Sequence, residues 1–242
     1  MNHQKFSNKN FKIFSINKKL SKTEKAGRYK SHIGLEKNIF RDIVKKLKLK
    51  KNDEFLDVGC GLGNLSDYLI KYCIKNKINV TLCDIPEVID ILKKKYSKFE
   101  NIDFLGGEFQ NNKINKKFDK ILCYSVIQCV NDPKTFFKKM LNILSIEGKF
   151  LIGDLPNVNK KYRFLKSNFG IKFEEKRINK KIEVKNMKTF LKLTNQNKLI
   201  NDEFISFIIN YSRKKNHNSI IMKQPIKLPF SYTREDVLIE EI

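Results

Sequence analysis

The sequence has no C-x-x-C pair, and its three histidines, His3, His32 and His217, are scattered along 242 residues. That pattern excludes a zinc knuckle or ribbon, and no metal site is expected. The five cysteines, Cys60, Cys73, Cys83, Cys123 and Cys129, sit mostly in apolar segments, which favours buried reduced thiols over disulfides. No apolar run approaches the ~20 residues of a membrane span. The first residues, MNHQKFSNKNFKIFSINKKL, lack the apolar centre of a secretory signal, so a cytoplasmic protein is expected. Arginine is scarce too. The net charge is +24, yet only six of fifty basic residues are arginine, the side chain suited to planar phosphate and base contacts. The lysines are spread evenly and accompanied by much Asn and Ile. A compositional bias therefore explains the charge as well as a polyanionic partner does.

What is present is an alternation of strands and helices. Residues 1–30 are polar and weakly patterned and read as a mobile basic arm. From Ser31, Leu35, Ile39, Phe40, Ile43, Val44 and Leu47 share one helical face. EFLDVG is a strand. Leu65, Tyr68, Leu69 and Tyr72 mark a helix. INVTLCD is a second strand, with Pro86 opening the next helix. NIDFLGG and FDKILCYSVI (118–127) read as the third and fourth strands. Asp132-Pro133 reads as an N-cap followed by proline at the first helical position. EGKFLIGDLP is a fifth strand. Residues 157–200 are basic and irregular, with an amphipathic piece near Met187–Leu193, and read as an insertion facing the substrate. NDEFISFIINYSR then predicts a helix, and HNSIIMK and REDVLIEEI two last strands. Such alternation implies an α/β domain (31–242), a doubly wound, mostly parallel sheet covered on both faces.

Chemistry concentrates at FLDVGCGLGNLSDYLI, residues 55–70. Gly59, Gly61 and Gly63 give G-x-G-x-G. The dinucleotide fingerprint G-x-G-x-x-G would need glycine at position 64, which is Asn64, and a P-loop is absent. The shared physics remains: a strand runs into a glycine turn that lets a ligand touch the backbone, and a helix N-terminus beyond it offers free N–H groups to an anionic group. Asp57 precedes the turn and is placed to meet a cation. Asp84 ends the second strand, where an acid accepts hydrogen bonds from both ribose hydroxyls. The expected ligand carries a ribose, an amino group and a carboxylate, and needs no pyrophosphate.

LDVGCGLG followed by an acid at the next strand end resembles the class I S-adenosylmethionine-dependent methyltransferases, over roughly residues 31–155 and more weakly to the C-terminus. The resemblance implies a seven-stranded sheet ending in an antiparallel β-hairpin, which HNSIIMK and REDVLIEEI would supply. It also implies S-adenosyl-L-methionine as cofactor. Gly59, Cys60, Gly61 and Gly63 would line its methionine part, with Asp57 near the amino group. Asp84 and Ile85 would border the ribose, Glu108 and Phe109 the adenine, and Ser125 the floor beneath the methionine.

For the acceptor, YSVIQCV stands where amino-methyltransferases of DNA and many RNA enzymes carry [ND]-P-P-[YF], which argues against N6-adenine chemistry. YSVIQ followed by an Asp-Pro helix resembles enzymes acting on small molecules. LPFSYTREDVLI resembles bacterial methyltransferases that accompany surface-polysaccharide synthesis. These resemblances imply O-methylation of a sugar-like acceptor such as a phosphate- or nucleotide-linked precursor, with Lys160, Lys161 and Arg163 suited to a phosphate. Asp154 is the candidate general base, and a cap for the next helix is its plainer reading. His32 and Tyr124 are further catalytic candidates. Tyr29, Gln128, Asn157, Arg163 and Arg234 are candidate substrate contacts. An RNA methyltransferase is the second reading, with Tyr162, Phe164, Phe169 and Phe173 interleaved with basic residues as stacking sites would be. A non-catalytic subunit that keeps the fold is the third.

Overall fold

The computed structural model describes residues 19–26, 28, 32–183, 186, 190, 200–228 and 230–241. Ser21 caps a single helical turn, α1 (Lys22–Lys25), through a reciprocal pair with Glu24. Then come α2 (Glu36–Leu47), β1 (Glu54–Val58), α3 (Asn64–Asn76), β2 (Asn79–Asp84), α4 (Pro86–Tyr96), β3 (Ile102–Gly106) and β4 (Phe118–Tyr124). The chain continues through α5 (Pro133–Asn142), β5 (Leu144–Leu155), α6 (Val158–Lys166), α7 (Asn168–Ile178), α8 (Asp202–Arg213), β6 (His217–Met222) and β7 (Glu235–Glu241).

One seven-stranded sheet has the order β3-β2-β1-β4-β5-β7-β6. The first five strands pair in parallel, and β7 is antiparallel to both β5 and β6. The strand side chains alternate between two cores. Phe55, Leu122, Leu151 and Leu238 face α2, α3 and α4, while Leu56, Ile121, Ile152 and Val237 face α5 and α8. Helices on both faces explain why the inner strands read as unbroken apolar runs. β1 and β4 are adjacent and central, so the chain rises from the middle of the sheet and crosses outward in both directions. Ligands bind beyond the carboxyl ends of strands at such a switch point.

The expected N-cap at Asp132 is present: its carboxylate accepts from the amides of Lys134 and Thr135 at 3.1 and 3.0 Å, with Pro133 opening α5. Three expectations change. β4 stops at Tyr124 rather than continuing to residue 127, because Ser125 takes a left-handed φ of 62° and Ile127–Cys129 form a 3-10 turn. Residues 158–178 are two helices rather than an irregular insertion. Asn157 caps the first, and Ser167 caps the second by accepting from the Gly170 amide at 3.0 Å. And Ser21–Ala26, at the end of the segment read as an arm, forms a capped turn against the domain. The amphipathic piece near Met187–Leu193 lies outside the described residues apart from Phe190. No helix among the described residues is long and apolar enough to cross a membrane.

Candidate functional site

β1 delivers Asp57 and then the glycine turn. Gly59 and Gly61 have φ of 73° and 65°, a region glycine enters at little cost. The Gly59 and Cys60 amides donate to the Cys83 carbonyl at 2.7 and 3.2 Å, which ties the turn to the end of β2. A Cβ at Gly59 would lie 2.3 Å from Val126 Cγ2, so the close approach here is to the loop after β4. Gly63 is the N-cap of α3 and offers no side-chain cap, leaving the first amides of that helix open to an anion.

At the end of β2, Asp84 accepts from the Gly61 amide at 2.8 Å and the Ile85 amide at 2.7 Å. Burial nonetheless raises its pKa to about 6 against those two amides. Asp57 is only 4 % exposed, and its carboxylate accepts no hydrogen bond among the described residues. Burial, then the neighbouring Asp84 charge, pushes its pKa up to about 7. A buried acid without a hydrogen-bond partner beside a half-buried one is a standing demand for a cationic or hydroxyl-bearing ligand.

Both acids line one cleft of about 820 Å³, counting the solvent at its mouth, together with Gly59, Cys60, Gly61, Gly63 and Ile85. Tyr124, Ser125 and Val126 form the opposite wall. Gly153 makes room for the first: a Cβ there would lie 2.2 Å from Tyr124 Cδ2. The roof comes from the N-terminal segment. Ala26 and Arg28 line the cleft, and a Cβ at Gly63 would meet Ala26 Cβ at 2.7 Å. That segment is anchored by buried Thr23, whose hydroxyl donates to Glu36 at 2.5 Å and accepts from Asn64 at 3.2 Å, and by an ion pair between Lys22 and Asp67.

Beyond Ser125 lies Asp154, at the end of β5, with a left-handed φ of 60°. Its carboxylate accepts from the Ser125 hydroxyl and pairs with the Arg234 guanidinium. Its amide donates to Asp236 at 2.8 Å. Gln224 donates to Asp236 at 2.9 Å and sits 3.4 Å from both Asp154 and the Tyr124 hydroxyl. Asp236 is fully buried and pairs with buried Lys46 at 2.6 Å, which also holds Asp42 at 2.5 Å. A buried polar chain thus runs from α2 to the cleft. His32 is nearly buried, its ring edge on Phe230 at 5.5 Å. Burial and the charges of Arg28 and Arg234 lower its pKa, so it stands neutral near pH 7.

A sheet of this order with a glycine turn after its central strand and an acid at the end of the next is the class I methyltransferase fold. Residues 56–152 match a family described as "Methyltransferase domain". It is similar to malonyl-[acyl-carrier protein] O-methyltransferase 1 of Ilyobacter polytropus, 29% identical over 109 residues, which cover 45% of this chain and 40% of that protein. It is also similar to ribosomal RNA small subunit methyltransferase A of Borreliella afzelii, 29% identical over 48% of this chain and 38% of that protein. Among solved structures, the N-methyltransferase NodS of Bradyrhizobium japonicum WM9, in complex with S-adenosyl-l-homocysteine, shares the fold at 11% identity. The TM-score is 0.59, over 97% of this chain and 98% of that one. The chain spans about half or less of the length of the curated relatives it matches first.

Of the residues read from the sequence, Asp57, Gly59, Cys60, Gly61, Gly63, Asp84, Ile85, Tyr124 and Ser125 share this cleft. Phe109 does not line it. It is buried in the core against Phe136, ring centroids 5.3 Å apart, and exposed Glu108 precedes it outside the cleft lining. Asp154 does not cap the next helix; Asn157 does, by accepting from Asn159 and Lys160. That role, and its buried bonds to Asp202 and Glu235, remove Asn157 from the mouth of the site. Arg163 is exposed and paired with Asp202. Gln128 donates to the Ser125 carbonyl at 2.8 Å, and Tyr29 lies outside the described residues. Arg28, Lys46 and Gln224 had no signal in the sequence. Two are basic residues in a basic chain, and Gln224 sits alone in a loop.

Proposed function

We propose that the chain is an S-adenosylmethionine-dependent methyltransferase that methylates an oxygen of a small, sugar-like acceptor. The observation that carries it is the convergence of Asp57, the Gly59–Gly63 turn, Asp84 and Ser125 on one cleft. The residues suit the cofactor: an unpartnered buried acid for the ammonium, a second acid for the ribose, and uncapped helix amides for the carboxylate. When bound, the cofactor supplies a methyl group already activated on a sulfonium, lost to the nucleophile by in-line displacement. The protein's task is then positioning. Asp154 faces the acceptor end, held by Ser125, Arg234 and Gln224, and is placed to orient an acceptor hydroxyl and take its proton. Tyr124 serves as a wall, since burial holds its phenol well above the ordinary pKa. The segment resembling polysaccharide-associated enzymes, residues 228–239, provides Phe230 and Arg234 at this end, which supports a sugar-like acceptor.

The test is calorimetry with S-adenosylmethionine and a nicotinamide cofactor in parallel. Micromolar binding of the first and none of the second is expected. No binding of either would favour a non-catalytic subunit. RNA as acceptor draws support from the net charge of +24 and from the ribosomal RNA relative. Against it, Phe164, Phe169 and Phe173 spend their faces and edges on one another and on Tyr232. A steep fall of RNA affinity with salt would favour RNA, and no binding at physiological salt would remove it.

A further inference from the structure

A strip of partly exposed aromatic rings begins at the acceptor end of the cleft. Contacts fix where it starts. Ser125 lines the cleft and donates to Asp154, Asp154 pairs with Arg234, and the Arg234 guanidinium lies 4.5 Å from the Phe230 centroid. From Phe230 the strip follows α7, where Arg177, Phe173 and Phe169 stand four residues apart on one face. Arg177 lies 5.5 Å from the Phe230 centroid, and the edges of Phe173 and Phe169 meet Tyr232 at 5.3 and 5.4 Å. Phe164 of α6 stacks on Tyr232 at 5.4 Å, with 7° between the ring planes. The eight residues from Arg177 back to Phe169 make this face about 12 Å long. None of these rings belongs to the two cores that flank the sheet. Phe169 is 57 % exposed, and Phe164, Phe173, Phe230 and Tyr232 are half-buried. A contiguous apolar surface left in water beside a cleft is unfavourable until a ligand covers it.

We propose that the methyl acceptor carries an aliphatic chain, which lies along this strip while the hydroxyl-bearing head sits at Asp154. The packing of the rings decides what kind of extension they fit. They already use their faces and edges on one another, so a flat ring finds no open face to stack on. What remains outward is hydrocarbon surface, and an alkyl chain needs only that. Further sugar units would lay hydroxyl groups against ring carbons that cannot hydrogen-bond them. The order along the strip suits an amphiphile: Asp154 and Arg234 at the polar end, Phe169 at the apolar one. This inference rests on the methyltransferase reading and extends its acceptor beyond the sugar-like head.

The test titrates methyl, hexyl and octyl β-glucoside and maltotriose into the full chain, below micelle-forming concentrations, with and without saturating S-adenosylhomocysteine. Calorimetry reports binding, and chain length is the readout. Full burial of a methylene is worth about four-fold in affinity, and a chain lying on a surface buries about half of each. About two-fold per methylene is therefore expected, or roughly a hundred-fold from methyl to octyl. Phe169→Ser should weaken octyl glucoside by roughly five-fold or more and leave methyl glucoside and S-adenosylhomocysteine as they were. Ile146→Ser, at an 83 % exposed position near the start of β5, should bind as the unaltered chain does. Equal weakening by the two variants would mean unspecific adsorption of detergent and would overturn the proposal. So would octyl binding no tighter than methyl, or maltotriose binding tighter than octyl glucoside. Self-association of the chain that Phe169→Ser abolishes would give the strip to a second copy and overturn it too. Dependence on chain length that persists while S-adenosylhomocysteine fails to bind would sink the methyltransferase reading and leave the strip standing. The reverse outcome would sink the strip alone.

Discussion

Asp57 and Asp84 hold their protons to higher pH than ordinary carboxylates, and the direction fixes two consequences. The folded chain binds more protons than the unfolded one between about pH 4 and about pH 7. Stability of the free protein therefore falls as pH rises through that window. Asp57→Asn should raise stability at about pH 8 by about 2–4 kcal/mol, since it removes a buried charge, and should at the same time cost cofactor affinity. Thermal melts alongside calorimetry check both signs. A ligand that donates hydrogen bonds to these acids selects their ionised forms. S-adenosylmethionine affinity should thus rise from about pH 5.5 to about pH 7.5, with protons released on binding. A flat profile, read in buffers of different ionisation enthalpy, would remove the acids from the cofactor site. Asp84→Ala should weaken the cofactor by about one to two orders of magnitude. At this scale the sequence was legible where spacing carries meaning: an acid before a glycine turn and an acid at the next strand end. It was silent where only the third dimension carries it. Lys46 is one of three charged side chains around Leu47, and nothing in KKLKLK marks the one that reaches buried Asp236.

Among the elements, the glycine turn and the loop after β4 are interlocked. Gly59→Ala would combine a left-handed φ with a contact of 2.3 Å to Val126, and should cost stability by about 1–3 kcal/mol. Chemical denaturation would measure it, with Val126→Ala expected to recover the steric part only. The second lock ties α2 to β7. Lys46→Met leaves fully buried Asp236 without its cation and should cost about 3–5 kcal/mol, seen as a lower denaturant midpoint. A loss of under about 1 kcal/mol would mean that Gln224 and the Asp154 amide suffice to hold Asp236. The inner strands were legible as apolar runs because β1, β2 and β4 are buried on both sides, and the helix faces followed from apolar periodicity. The end of β4 did not, since YSVI is as apolar as the strand before it, and only the left-handed Ser125 breaks it. The paired helices α6 and α7 were hidden by their lysines, which blur any apolar stripe.

For the molecule as a whole, the surplus of positive charge acts on itself. With a net charge of +24, self-repulsion should weaken the fold at low salt. Raising ionic strength from about 0.01 M to about 0.15 M shortens the screening length from about 30 Å to about 8 Å. The melting temperature should rise over that range, whereas an uncharged osmolyte matched for water activity should not reproduce the shape of the curve. A melting temperature that falls with salt would mean that exposed pairs such as Lys22–Asp67 and Lys95–Asp67 outweigh the repulsion.

The cleft's floor and its roof have separate origins. The sheet makes the floor, but Ala26 and Arg28 reach the glycine turn from a segment that lies before the first long helix. A chain shortened to begin at His32 should therefore still fold around its two cores, with the well left unroofed. Cofactor residence time would then shorten while the melt stayed cooperative, which makes grip on the cofactor a property that can be tuned in one short segment without redesigning the scaffold.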